Sequence, residues 1–134
     1  AVFPDWFGAG RERISADFQM GQVYLMRGEP DWALPHLARA RAANPGDPDV
    51  LNSLGAAHAQ HGDFDEAEKA YQAALALGDF GEVWFNLGVV AERRGPQFRG
   101  LAAERYRRAL AADPTSARAR ANLEALDGAD EAGL

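Results

Sequence analysis

Small and apolar residues recur along this chain at spacings of three and four, broken by short polar runs that close on glycine. That is the pattern of short helices which each bury one stripe. The stretch 52–78, NSLGAAHAQHGDFDEAEKAYQAALALG, shows it most clearly. Its first half sets Leu54, Gly55 and His58 on one face, and Gly62 then stops the helix, because glycine accepts the left-handed backbone that a helix end needs. Asp63 is placed to cap the second half, where Ala67, Tyr71, Ala74 and Leu75 form one apolar stripe. Two helices with facing stripes make a hairpin. A single hairpin cannot bury both of its faces, so it needs neighbours of its own kind.

The neighbours are present. Gly21, Gly55 and Gly88 are separated by 34 and 33 residues, and so are Gly28, Gly62 and Gly95. Ala33, Ala67 and Ala102 keep spacings of 34 and 35, as do Leu37, Tyr71 and Tyr106, and also Ala40, Ala74 and Ala109. In these positions the chain resembles the tetratricopeptide repeat (TPR) family, whose period is about 34 residues with a Leu-Gly pair, an aromatic, an Ala and a Pro at set offsets. The resemblance implies an all-α fold, a right-handed α-solenoid of three helix-turn-helix units and a C-terminal capping helix. The units are placed at residues 14–47, 48–80 and 81–116, the cap at 117–127 and a frayed tail at 128–134. Glycine and alanine at the marker positions let helix backbones approach closely, and Tyr71 and Tyr106 fill the space that is left.

Departures from the repeat are local. Residues 1–13 form an extension and the start of the first helix, and Phe3, Trp6 and Phe7 crowd three large rings around Pro4. These rings are expected to cover the open end of the first hairpin, to dock on a neighbouring copy in assembly, or to form the juncture to an upstream domain. Pro35 falls inside a helix and predicts a local bend. His58 stands where an aromatic is expected and is read as a half-buried core substitute, with His61 at a solvated end. A third ligand at a metal spacing is missing from the sequence, so no metal site is assigned. The turn Gly95-Pro96-Gln97-Phe98-Arg99-Gly100 is two residues longer than its counterpart in the second repeat. It is expected to protrude, with Phe98 folded back on the helices or offered to a partner. In the cap, Arg118, Arg120 and Glu124 are read as a polar outer surface.

The chain has 134 residues and no cysteine, which excludes disulfides, and no apolar run approaches the ~20 residues of a membrane span. It reads as one soluble helical unit, cytoplasmic or periplasmic, without direct membrane insertion. Because it begins at Ala1 rather than Met, it is expected to be a processed protein or part of a larger one. Charge is uneven: residues 28–91 hold ten acids and three bases, a net -7, whereas 92–120 hold eight arginines and three acids, a net +5. An anionic partner or a second copy could meet the arginine end, and Arg105 and Arg108 join Phe3, Trp6 and Phe7 as candidate assembly residues. Nucleic acid is a poor fit, since the total charge is -6 and the arginines are read as lacking interleaved aromatic platforms.

Function is expected from the surface. The resemblance implies a concave groove lined by the first helix of each unit. Carried over to this sequence it holds Phe18, Gln19, Gln22, Leu25 and Met26, then Asn52, Ser53, Ala56 and Gln60, then Glu82, Phe85, Asn86, Val89, Glu92 and Arg93, with Asn122 from the cap. Amides here can pair with the main chain of an extended peptide while Phe18, Phe85 and Val89 supply non-polar contact. Family members that hold the acidic tails of chaperones use clamp cations, but the matching residues here are Phe18, Gln22, Ser53, Glu82 and Asn86, which include none. No nucleophile, phosphate loop or metal signature is present, so neither an enzyme nor a cofactor is indicated. The reading is a non-catalytic interaction module that binds a peptide or helix. Two alternatives stand beside it: a self-associating scaffold, and the soluble TPR tail of a larger enzyme, membrane-bound or not, such as a glycosyltransferase.

Overall fold

The computed structural model describes residues 16–131. They form α1 over 16–26, α2 Pro30–Ala43, α3 Pro48–His61, α4 Phe64–Leu75, α5 Gly81–Arg94, α6 Arg99–Ala112 and α7 Ala117–Glu131, with a 3-10 turn at Pro96–Phe98 before α6. No strand occurs among the described residues. Phe3, Trp6 and Phe7, with the roles expected of them, lie outside the described residues, as do 132–134. The fold class is an all-α solenoid of helix-turn-helix repeats.

Helix ends follow from local chemistry. Gly28 and Gly62 both take left-handed backbone, at φ 70° and 91°. In each case the next N–H reaches back over the turn: Glu29 donates to the Tyr24 carbonyl at 2.8 Å and Asp63 to the His58 carbonyl at 2.9 Å. This closure satisfies a carbonyl that the helix end would otherwise leave unpaired. Gly95 cannot be closed the same way, because Pro96 follows it and has no N–H to give. The chain instead takes φ 133° and ψ 171° at Gly95 and makes the 3-10 turn before entering α6. Phe98 folds back from that turn onto the core beside it, and the Arg94 guanidinium lies 4.6 Å above its ring. At the start of α3, Pro48 suits the first turn and the Asp47 carboxylate accepts from the Asp49 N–H at 2.9 Å.

The chain divides into two compact units, Ala1–Ala70 and Tyr71–Leu134, the boundary falling inside α4. In the first, Ala33, Leu37 and Ala40 of α2 are fully buried with Val50, Leu54 and Ala57 of α3 and Ala70 of α4. Gly21 makes this possible: a Cβ there would stand 2.6 Å from Leu37 Cγ, so only glycine lets α1 come this close to α2. A polar clip secures the same pair. Asp17 of α1 lies 3.0 Å from His36 Nδ1 and accepts from Arg39 Nε at 3.2 Å, while Tyr24 stacks on the His36 ring. The hydrogen bond with His36, helped by Arg39, holds the Asp17 carboxyl below its usual range. Sequence reading did not anticipate this clip. Pro35 sits inside α2, which continues through it to Ala43.

The second unit packs Phe85 and Ala91 of α5, Ala102, Tyr106 and Ala109 of α6, and Ala119 and Leu126 of α7. Burial of side chains of this size stabilises by roughly 1.5–3 kcal/mol for each large one. The cap helix does not stop at 127 as expected but runs through Gly128 to Glu131. One glycine costs a helix about 1 kcal/mol, and α7 continues through it.

Candidate functional site

In the first unit the expected groove residues lie on α1 and α3. Phe18, Gln22 and Met26 are each four residues apart and therefore share a face of α1. Phe18 is half-buried against the core, and Met26 is 86% exposed. Between them Gln22 accepts a 3.1 Å hydrogen bond from the Ser53 hydroxyl, and Ser53 itself is buried. The Gln60 amide donates to the Leu25 carbonyl at 3.1 Å. These polar side chains thus bind α3 to α1. The bond to Ser53 uses the Gln22 carbonyl oxygen and leaves its amide N–H groups as donors. Gln19 is exposed and Asn52 half-buried.

In the second unit the centre is the Tyr106 hydroxyl. It donates to Glu92 Oε1 at 2.6 Å and accepts from Asn122 Nδ2 at 3.2 Å, so a single phenol links α5, α6 and α7. Burial, and then the bond to Glu92, push the Tyr106 phenol well above its usual range. Phe85 is only 6% exposed; its ring packs on Tyr106 at 5.6 Å and is covered by the Arg118 guanidinium at 4.3 Å. Asn86 and Val89 remain half-buried, Val89 against the core. A cleft of about 330 Å³ opens beside this network, walled by Glu92, Pro96, Arg99, Leu126 and Ala129.

A family model described as "Tetratricopeptide repeat" matches residues 18–82 and 60–95. The chain is a tetratricopeptide repeat protein. No curated protein matches it. Among solved structures it is similar to the Arabidopsis OM64 TPR domain, with 18% identity, a TM-score of 0.80, and coverage of 89% of this chain and 98% of that one. It is also similar to the second TPR domain of human RPAP3 in complex with an HSP70 peptide, with 18% identity, a TM-score of 0.75, and coverage of 88% and 98%. A mutant of the Thermobaculum terrenum O-GlcNAc transferase aligns at 21% identity and a TM-score of 0.78, over 87% of this chain and 22% of that one.

The TPR marker positions do what close packing demands, but several side chains assigned from sequence to an open surface are otherwise employed. Phe85 is a core ring beneath Arg118, which covers it while itself remaining exposed, as expected of the outer face of the cap. Asn122 is held by Tyr106. Arg105, expected at an assembly surface, is 8% exposed and donates to the Leu87 carbonyl at 2.9 Å. Arg108 lies 4.9 Å over the Trp84 ring and 3.9 Å from Glu104. The arginine-rich stretch therefore finds its aromatic platforms within the fold, on rings contributed by other elements. Separation in sequence hid the pairings of Arg108 with Trp84 and of Arg118 with Phe85. His61 joins two turns, with Nδ1 3.0 Å from Asp31 and Nε2 3.8 Å from Asp63. Among the described residues no three metal-donor side chains converge.

Proposed function

We propose that this TPR protein is a non-catalytic interaction module that captures a peptide or helix along the first-helix face of its repeats. The observation that carries the reading is the line Phe18, Gln22, Met26 on α1. It presents a half-buried ring, an amide with N–H groups to donate and a side chain that is 86% exposed. Apolar anchors flanking amide donors suit an extended backbone with alternating side chains. Gln19 and Asn52 extend the line in the first unit; Asn86 and Val89 are its counterparts in the second, whereas Phe85 and Asn122 support the fold beneath. A TPR domain of human RPAP3 with a bound HSP70 peptide supports the peptide reading at the level of fold. Glu82 and Asn86 stand where chaperone-tail clamps place cations, so the favoured ligand is not an acidic tail. The likeness to the transferase is one of fold and brings no activity with it.

The test is selection of peptides from a random display library against the full chain, followed by titration of the winners. Met26→Asp should weaken them by at least about tenfold, whereas Leu101→Asp, at another exposed apolar position, should not. Equal effects of the two, or none from Met26→Asp, would remove this face from consideration.

A further inference from the structure

We propose that a second site, away from the first-helix face, binds a single small oxyanion. A cleft of about 170 Å³ lies among α2, α3 and α4, lined by Arg41, Leu54, His58, Glu66, Lys69 and Ala70. A water's share of liquid volume is about 30 Å³, so the cleft has room for one oxyanion and a few waters.

Two observations on different helices identify the ligand class. His58 Nδ1 is buried without a hydrogen-bond partner. Either group loses its solvation when buried unpaired, but orphaned buried N–H groups are rarer in folded proteins than under-satisfied acceptors. The proton of the neutral imidazole therefore belongs on Nε2, the edge of the ring that can meet a ligand in the cleft. That edge is a donor. Arg41, on α2, has no ion-pair partner among the described residues and contributes a guanidinium fork suited to oxyanions. Lys69 adds a third donor, although Glu66 shares it at 3.1 Å. The side chains around the cleft thus sum to one net positive charge, with Arg41 and Lys69 against Glu66. The surrounding segment 28–91 is net -7, so long-range attraction does not bring the anion in and local donors must hold it. A phosphate and a carboxylate share the required chemistry.

The experiment is 15N NMR of the histidine side chains in the full chain during separate titrations with inorganic phosphate and with acetate. The free protein should show His58 as the Nε2–H tautomer, and at least one of the two anions should shift its signals saturably. Saturation by phosphate alone assigns a phosphoryl ligand, and by acetate a carboxylate; both outcomes uphold the site. Arg41→Gln should weaken binding by at least about tenfold, while Arg107→Gln, an exposed charge in the second unit, should leave it unchanged. His58→Tyr, which restores the aromatic expected at this position, should fold and abolish the saturable shifts that the anion produces in the backbone amide signals of the residues lining the cleft. A His58 signal with the proton on Nδ1, no saturable shift with either anion, or equal losses from the two arginine variants would overturn the proposal.

Discussion

The Tyr106 ring lies directly on the backbone of Gly88, where a Cβ would stand 2.7 Å from Cδ1 and 2.9 Å from Cζ. The ring cannot retreat, since its hydroxyl is tied to Glu92 and Asn122 on two other helices. Gly88→Ala gains about 1 kcal/mol of helix propensity, but overpacking a constrained site costs roughly 1–3 kcal/mol and more where nothing yields. The expected outcome is a net loss of about 1–2 kcal/mol, read by urea unfolding. Gly21→Ala faces the same conflict with Leu37, a more adaptable side chain, and should lose less. A neutral or stabilising Gly88→Ala would show that α5 and α6 are not packed through this contact.

Alkaline pH tests the same phenol. Tyr106 and Tyr71 are both held protonated in the folded chain, chiefly by burial, with Glu92 and Glu82 adding to the effect at each. In the unfolded chain a phenol ionises near its usual value of about 10. Both groups have raised folded values, so their contribution is complete below about pH 10 and is lost as pH rises beyond it. Thermal unfolding followed from pH 8 upward should therefore show Tm falling above about pH 10. Tyr106→Phe should flatten that fall while lowering Tm at neutral pH, because it removes the hydroxyl that joins three helices. An unchanged slope in Tyr106→Phe and Tyr71→Phe would mean that neither phenol carries the linkage.

Glycines that share a turn role are separable from those that do not. Gly62 sits at φ 91°, where nothing surrounds its absent Cβ, so an alanine there meets strain and no clash. The left-handed backbone costs an L-residue about 1–2 kcal/mol, and Gly62→Ala should lose about that much, as should Gly28→Ala. Gly46, equally open but without positive φ, should tolerate alanine within ~0.5 kcal/mol. Guanidinium unfolding of the three variants decides it; equal effects at Gly62 and Gly46 would rule out backbone strain as the cause.

What the sequence made legible was whatever repeats. Gly28 and Gly62 close their helices with the same pair of backbone bonds, and spacing alone pointed to them. Even the longer turn at Gly95 could be counted, although its cause, a proline without the N–H needed for closure, emerges only from the bond it cannot make. The candidate surface was less legible, because a family position specifies a helix face but not a side chain's partner. Phe85 and Asn122 hold groove positions, yet Arg118 covers one and Tyr106 holds the other, and neither pairing follows a fixed period. The clip of Asp17, His36 and Arg39 escaped for the same reason: residues 19 and 22 apart on one repeat have no counterpart elsewhere in the chain.

Arg105 and Arg108 are one helical turn apart and carry the same charge, but the fold uses them differently. Arg105 is buried, and its guanidinium donates to the Leu87 carbonyl. The Leu87 carbonyl also accepts the ordinary intrahelical bond of α5, so what Arg105→Gln loses is the added charge-assisted bond and the packing of a buried side chain, about 1.5–3 kcal/mol. Arg105→Gln should accordingly unfold at lower urea. Arg108 rests over Trp84 at the surface, where a cation–π contact contributes about 0.5–1 kcal/mol, so Arg108→Gln should change stability less. The contrast bears on self-association: reversing both charges would confuse unfolding with disassembly, whereas Arg108→Glu alone asks the question cleanly. Light scattering over a wide concentration range should give the same mass for Arg108→Glu and the parent chain if copies do not assemble through this helix. A smaller mass for the variant, with its unfolding midpoint unchanged, would establish α6 as an assembly surface.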